Sequence, residues 1–226
     1  MLLPCAFSEK GQMAMVKRED ISSAVIKRLP RYYRYIGEML RQGKVRASSA
    51  ELACEMFTTA SQVRQDLNCF GGFGQRGCGY NLDELYRQIG IILGVDKCRR
   101  AVLIGAGNLG RAIAIHMDFP SCGMELAGIF DNDENKIGMT VAGVKIRAVS
   151  ELPQFMREEK PETAILCIPE AAAEECADIL AENGIKAFWN FSHYNPSVKH
   201  KGILVENVHL GDSLMLLSYG LTNGND

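Results

Sequence analysis

Apolar and polar positions in the first third of the chain repeat with helical spacing. Apolar side chains from Ile21 to Leu40 recur three and four residues apart, which predicts a helix that ends at Gly43. Pro30 falls inside this pattern, so we expect a kink, or a short helix followed by a longer one. Residues 1–20 have no clear periodicity and are interpreted as a mobile arm.

Two shorter helices are predicted next. Ser48 and Ser49 supply an N-cap for a helix that reaches about Met56. Thr58 or Thr59 caps the following one, whose sequence is ASQVRQDLNCF.

A glycine-rich segment, FGGFGQRGCGY, then predicts a tight two-stranded hairpin, and residues 81–94 predict another amphipathic helix. Three helices, a hairpin and a helix are the order of elements in a winged helix-turn-helix. We assign this domain to residues 21–97.

The pattern changes near residues 96–100, where short apolar runs begin to alternate with helical segments. AVLIG, ELAGIFD, GVKI, TAILCIP, AFWNF and ILVENVHL are strand-like, and helical segments separate most of them. Such alternation predicts a Rossmann-type, doubly wound parallel sheet over residues 98–210, so the fold class is α/β. The last segment, within 211–226, contains LMLLSYGLT, which is apolar nearly all round and therefore expected to be buried, against a second subunit in our interpretation.

Charge is distributed unevenly along the 226 residues, although the formal net charge is only −2. Residues 1–97 hold 14 Lys+Arg against 10 Asp+Glu, and residues 98–226 hold 11 against 17. A basic nucleic-acid-binding module joined to an acidic domain would have this distribution, and so would a solvated helix face. The stretch 21–46 has one acid, Glu38, and seven basic residues: Lys27, Arg28, Arg31, Arg34, Arg41, Lys44 and Arg46.

The composition is typical of a soluble, cytoplasmic protein. No apolar run approaches the length that spans a bilayer, and no signal peptide is predicted. The eight cysteines contain no C-x-x-C pair and no histidine at metal spacing, so we expect buried, reduced thiols and no metal.

The motif that carries the most chemistry is GAGNLG, which follows a predicted strand and opens a predicted helix. Its residues, Gly105, Ala106, Gly107, Asn108, Leu109 and Gly110, would hold a pyrophosphate at the helix N-terminus. Asp131 ends the next strand, where an acid binds ribose hydroxyls and repels a 2′-phosphate; Asn132 and Lys136 follow it. This pattern favours NADH and NAD⁺ as ligands, and the alternative is another nucleotide or coenzyme A.

Two later strand ends could complete this site. Cys167, Ile168 and Pro169 would line the cofactor trough, although Cys167 fits a plain core strand equally well. Asn190 could bond the carboxamide and Phe191 could pack on the nicotinamide.

Candidate DNA contacts cluster in the first domain. Arginine and glutamine side chains reach base edges in the major groove, and a helix N-terminus meets phosphate. For each residue alone a solvated surface role is as good an interpretation, but together they predict binding to double-stranded DNA. The candidates are Arg46, Ser48, Ser49, Ser61, Gln62, Arg64, Gln65, Gln75, Arg76 and Tyr80.

No catalytic set can be argued from spacing. A hydride-transfer enzyme usually needs a general acid beside the nicotinamide, and the four histidines are scattered. We therefore expect a DNA-binding protein and not an enzyme. The alternatives left open are an NAD-dependent oxidoreductase and a repressor whose Rossmann domain serves only dimerisation or binds another ligand.

Over about residues 21–222 the chain resembles the Rex family of bacterial redox-sensing repressors. The segments that carry the resemblance include KRLPRYYRYIGEML, SQVRQDLNCFGGFGQRGCGY, VLIGAGNLGRAIA, FDNDENKIG and LMLLSYGLT. The resemblance implies a homodimer that exchanges its C-terminal helix, an A/T-rich inverted-repeat operator, and release of DNA by NADH.

The sequence departs from the family at two positions thought to form its redox switch. Where many members have an aspartate before the last helix, this chain has His209. The position of a family tyrosine falls at His116 or Met117. The resemblance therefore supports NAD(H) binding more strongly than it supports discrimination between NADH and NAD⁺. Two histidines near the cofactor would make the response to NADH depend on pH.

Overall fold

The structure is a computed structural model that describes residues 21–70, 74–75 and 79–224. The chain divides into two compact units, Met1–Asp96 and Lys97–Asp226, which are described separately. The predicted arm at residues 1–20 lies outside the described residues.

The first unit consists of four helices and a small antiparallel sheet. The sheet has the order β1-β3-β2, so the predicted hairpin is present and is joined by a strand that the sequence pattern did not predict. The elements are α1 (Ser23–Arg41), β1 (Arg46–Ala47), α2 (Ser49–Glu55), α3 (Ala60–Asn68), β2 (Gly74–Gln75), β3 (Gly79–Asn81) and α4 (Leu82–Leu93).

Helix α1 is continuous through Pro30, so the expected division into a short and a longer helix is wrong, while the alternative of a kink stays a prediction. The buried face of the helix carries Leu29, Tyr32 and Ile36, all at 0% exposure, and this packing holds the turns on both sides of the proline in one helix. Pro30 and Ile26 lie on the exposed side, where water can solvate the carbonyl that the proline leaves without a donor.

Helix ends follow the capping residues of the sequence. Ser48 and Glu51 form a reciprocal capping box at α2, and the Thr59 hydroxyl accepts from the Gln62 backbone N–H at 3.1 Å to begin α3. Gly43, at φ +81°, follows the last turn of α1, and the backbone N–H of Lys44 closes that turn on the carbonyl of Met39.

The second unit has a seven-stranded sheet in the order β10-β9-β8-β4-β5-β7-β6. All neighbours are parallel except the short β6–β7 pair, as predicted for a doubly wound sheet. The strands are β4 (Arg99–Ile104), β5 (Met124–Asp131), β6 (Thr140–Val141), β7 (Val144–Ala148), β8 (Thr163–Leu166), β9 (Ala187–Asn190) and β10 (Leu204–Asn207).

Helices cover the two faces of this sheet. Helix α5 (Asn108–His116) packs Ile113 against Leu103 on one face. On the other face, α6 (Leu152–Glu159) and α7 (Glu170–Glu182) pack Phe155 and Leu180 in one cluster with Phe188. This is the layer arrangement of an α/β fold.

Helix α8 (Leu210–Asn223) has no buried residue within its own chain. The expected burial of this segment against a second subunit agrees with its exposure in a single chain. Its large exposed apolar side chains are Leu210, Leu214, Met215, Leu216, Leu217, Tyr219 and Leu221. No helix among the described residues is long and apolar enough to cross a membrane.

The six cysteines in the described part of the chain are free thiols. The expectation that they are buried is only partly correct, because Cys54, Cys98 and Cys122 are exposed and Cys176 is buried. Cys5 and Cys78 lie outside the described residues. Groups of three or more side chains able to hold a metal ion do not occur in the described ranges.

Candidate dinucleotide site and nucleic-acid interface

A cavity of about 620 Å³ opens at the carboxyl ends of β4 and β8. The chain leaves β4 toward β5 on one side and adds β8 on the other, so the strand order reverses here, which is where open α/β sheets bind ligands. The residues lining the cavity include eight of the fourteen cofactor candidates. The candidates that line it are Gly105, Gly107, Asp131, Asn132, Lys136, Cys167, Ile168 and Pro169.

The three glycines of the motif have three different structural roles. A Cβ at Gly105, which has φ +98°, would lie 2.5 Å from the carbonyl oxygen of Cys167. A Cβ at Gly110 would lie 1.9 Å from the carbonyl oxygen of Gly105. A Cβ at Gly107 would meet nothing within 4 Å, so this glycine leaves open space at the start of α5. That space, in front of free helix N–H groups, suits an anionic phosphate.

Asp131 links the glycine loop to the end of β5. Its Oδ2 accepts from the backbone N–H of Ala106 at 2.7 Å, and its Oδ1 accepts from that of Asp133 at 2.9 Å. Lys136 Nζ lies 3.3 Å from Asp131 Oδ2 and 3.3 Å from Asp133 Oδ2. The carboxylate is therefore held rigidly at the cavity, with oxygen lone pairs left for a ribose diol.

The other motif residues support the turn. Ala106 is buried at 1% exposure, Asn108 begins α5, and Leu109 is exposed at 37%. Cys167 also lines the cavity, and burial raises the pKa of its thiol to about 12, so the thiol form is favoured there.

Asn190 does not line the cavity, and its amide is used inside the protein. Its Nδ2 donates to the carbonyl of Tyr194 at 2.6 Å and to Asn207 Oδ1 at 2.8 Å, while its Oδ1 accepts from Ser192. The fully buried side chain fixes the loop after β9, and the cofactor carboxamide contact of Asn190 stays a prediction. Phe191 is half-buried and packs edge-on against Trp189, with ring centroids 4.7 Å apart.

The two switch candidates lie at element ends. His116 is the exposed last residue of α5, and His209 is the exposed N-cap position of α8. The His209 ring stacks on that of His193, with centroids 5.9 Å apart. Sequence spacing could not predict this pair, because the two histidines follow different strands.

The exposed side of α3 carries the central DNA candidates. Ser61, Arg64 and Gln65 are exposed, and Arg64 Nη1 donates to the Ser49 hydroxyl at 3.0 Å, which connects α3 to the start of α2. Arg46 is exposed on β1, where it donates to the carbonyl of Gly79.

Three candidates on or near the sheet need separate comment. Tyr80 packs in the core at 8% exposure, and burial raises its pKa; its contact with DNA stays a prediction. Gln75 pairs with Gly79 through its backbone in β2. Arg76, at the predicted hairpin tip, lies outside the described residues.

Sequence reasoning missed the buried polar network that holds α3 in place. Asp66 is 1% exposed and receives two 2.7 Å hydrogen bonds from the Arg28 guanidinium. Tyr32 Oη donates to it at 3.1 Å, and Gln62 Nε2 donates at 2.8 Å. Burial acts to raise the pKa of Asp66, but the donors, Arg28 foremost, outweigh burial and leave that pKa below its usual range.

This network changes how one DNA candidate, Gln62, and one residue of the basic stretch, Arg28, are understood. The charge of Arg28 is neutralised by a buried partner, and Gln62 is held by Asp66, so neither is a free surface group. A signal existed in the sequence, because Asp66 lies on the same face of α3 as the inward-facing Val63 and Leu67.

Fold and site together define a class of protein, one with a helix-turn-helix unit joined to a Rossmann-type nucleotide-binding unit. A family model described as "Putative DNA-binding protein N-terminus" matches residues 20–68. A second, described as "CoA binding domain", matches residues 96–194.

Similarity to curated proteins extends over nearly the whole chain. The redox-sensing transcriptional repressor Rex of Caldicellulosiruptor bescii is 47% identical over 207 residues, which are 92% of this chain and 95% of that protein. The Clostridium perfringens repressor of the same name is 48% identical over 212 residues, 94% and 99% of the two chains. The chain belongs to the Rex family of redox-sensing transcriptional repressors.

Solved structures agree with this assignment. A crystal structure of RSP in complex with β-NAD⁺ and operator DNA is similar with a TM-score of 0.81 at 48% identity, and covers 89% of this chain and 92% of that one. A structure of RSP in complex with β-NADH has a TM-score of 0.80 at 46% identity, with coverage of 89% and 94%. The predicted fold class is thereby confirmed.

Proposed function

We propose that this protein is a transcriptional repressor that binds operator DNA through α3 and the small sheet and senses NADH against NAD⁺ in the cavity beside Gly107. The observation that carries the proposal is the cavity itself, in which an open glycine at a helix N-terminus faces a rigidly held carboxylate, Asp131. Phosphate and ribose groups of a dinucleotide match these two features. Relatives with solved complexes bind both dinucleotides and operator DNA.

To couple NADH binding to DNA release, NADH need only bind more tightly to an arrangement of the dimer that does not fit the operator. A ligand shifts a conformational equilibrium by its differential affinity for the two states. No turnover of the cofactor is part of this function.

A homodimer follows from the exposed surface of the second unit. Helix α8 presents seven large apolar side chains to solvent, among them Leu214 and Leu217. An apolar groove of about 510 Å³, lined by Phe119, Met124 and Trp189, lies on the same unit. Apolar surface of this extent is typical of an interface, and we assign it to a second copy of the chain with α8 exchanged. A two-fold dimer matches a palindromic operator.

The function is tested by fluorescence anisotropy of a short A/T-rich palindrome titrated with protein alone, with NAD⁺ and with NADH. We expect tight binding without cofactor and with NAD⁺, and release by NADH. Equal effects of the two cofactors would contradict redox sensing, and failure of the protein to bind duplex DNA would contradict repression.

A second candidate function is a repressor whose Rossmann unit binds another ligand. The match of residues 96–194 to a CoA binding domain and the histidine at position 209 favour it. The same anisotropy titration with coenzyme A separates the two, because release by coenzyme A in place of NADH would support this alternative.

The histidines at the switch positions make a further prediction. The His209 ring stacks on that of His193 at the start of α8, and His116 ends α5, so exchange of these side chains should alter how NADH shifts the dimer. We expect operator affinity at saturating NADH to differ between the wild type and a His116→Gln, His209→Asn double variant. Equal operator affinity of the two proteins would contradict this prediction.

A further inference from the structure

Part of the cofactor cavity is lined by apolar side chains, and this part is called the slot. Its sides are formed by Val149, after β7, and by Ile168, Ala172 and Ile179, which follow β8. A planar aromatic group fits between apolar side chains of this kind, and the base of a dinucleotide comes next after the ribose that Asp131 would hold. The slot is therefore the place for the base.

One side of the slot is a face of α7. The lining positions Ala171, Ala172, Glu175, Cys176 and Ile179 follow helical spacing, so Glu175 is the one acidic residue in a small apolar face. Its charge is felt inside the slot, because the pKa of Cys176 is raised by burial and, in second place, by Glu175.

The Glu175 carboxylate is exposed and has no hydrogen bond or ion pair within the described ranges. Its neighbour Glu174 differs, because Lys199 Nζ lies 3.5 Å from Glu174 Oε1. An ionised carboxylate only accepts hydrogen bonds, so a ligand group beside Glu175 must carry an N–H or O–H. A phosphate would be repelled there.

We propose that Glu175 recognises the 6-amino group of the adenine ring and so selects adenine dinucleotides over those with another base. This inference rests on the proposed function, since it assumes that a dinucleotide occupies the cavity. Within such a ligand, the adenine amino group is the N–H donor that lies past the ribose. Charge-assisted hydrogen bonds are the stronger ones, so the contact should contribute measurably to selectivity.

The test compares NADH with reduced nicotinamide purine dinucleotide, in which hydrogen replaces the 6-amino group. Both carry the same reduced nicotinamide, so its fluorescence reports binding of either ligand to the full-length protein without DNA. We expect the wild type to bind NADH roughly tenfold more tightly than the analogue. Glu175→Ala should reduce this ratio to about one to two, and Glu175→Gln should give an intermediate value.

Glu174→Ala is the matched control, because it removes the adjacent exposed carboxylate, which faces Lys199, and should leave the ratio unchanged. Equal affinity of the wild type for the two ligands, or an unchanged ratio in Glu175→Ala, overturns the inference while leaving dinucleotide sensing intact. Absence of NADH binding to the wild type would overturn both.

Discussion

The loop Gly105–Gly110 of the second unit and helix α3 of the first present the two candidate binding surfaces, and each is held differently. The loop is fixed by close backbone packing, in which two of its glycines leave no room for a Cβ. Helix α3 is fixed by side chains, since one buried carboxylate, Asp66, gathers Arg28, Tyr32 and Gln62. A methyl group added at one of these two glycines should therefore disrupt the loop. Removal of the Asp66 charge should destabilise the packing of α3.

The largest effect is expected from Gly110→Ala. The added Cβ would lie 1.9 Å from the Gly105 carbonyl oxygen, which is backbone and cannot move aside, so the turn must open. We expect NADH affinity to fall about 1000-fold or more, measured by nicotinamide fluorescence.

Gly107→Ala is the matched comparison for that variant. Its Cβ meets no protein atom within 4 Å, so the variant should keep wild-type thermal stability and lose affinity only through the ligand itself. Equal stability and equal affinity in both variants would show that backbone packing does not fix the loop.

The next effect is the loss of stability in Asp66→Ala. Breaking a buried ion pair costs about 3–5 kcal/mol, and the one-third exposure of Arg28 reduces this to about 3 kcal/mol, because water can solvate the released guanidinium. Urea unfolding of the full chain measures it, with Gln65→Ala on the exposed side of α3 as control. A change below about 0.5 kcal/mol would refute the role assigned to Asp66.

The Asp66 carboxylate also makes the stability of the first unit depend on pH in the acid range. The pKa of Asp66 is lower in the folded state than in the unfolded state. Its contribution to the free energy of unfolding is therefore fully present above the unfolded-state pKa, and it is lost as the pH falls through the folded-state pKa. Circular dichroism in the acid range should show a steeper loss of stability for the wild type than for Asp66→Ala. Parallel curves would contradict the prediction.

The smallest effect concerns the turn between α2 and α3. Phe57 has φ +50°, a conformation unfavourable for a side chain with a Cβ, and its ring is 88% exposed. Phe57→Gly should therefore stabilise the protein by about 1 kcal/mol, seen as a higher urea midpoint. Phe57→Ala removes the ring but keeps the Cβ, so it should give little gain; an equal gain would assign the effect to the ring.

The two surfaces also differ in how far the sequence reveals them. The glycine motif and Asp131 can be predicted from the sequence alone. The glycines act on the backbone beside them, and Asp131 stands at the end of a strand. Two of the partners of Asp66, Arg28 and Tyr32, lie 38 and 34 residues away, and no local pattern links them to it. Tertiary contact likewise explains the continuity of α1 through Pro30, the two-residue strand β1 and the internal role of Asn190.

The exposed apolar side of α8 ties the behaviour of this protein to its concentration. A chain without a partner exposes leucines, a methionine and a tyrosine of α8 to water, which makes it prone to aggregation. If two copies cover these side chains, mass action makes the melting temperature rise with protein concentration, and dilution removes operator binding and thermal stability together.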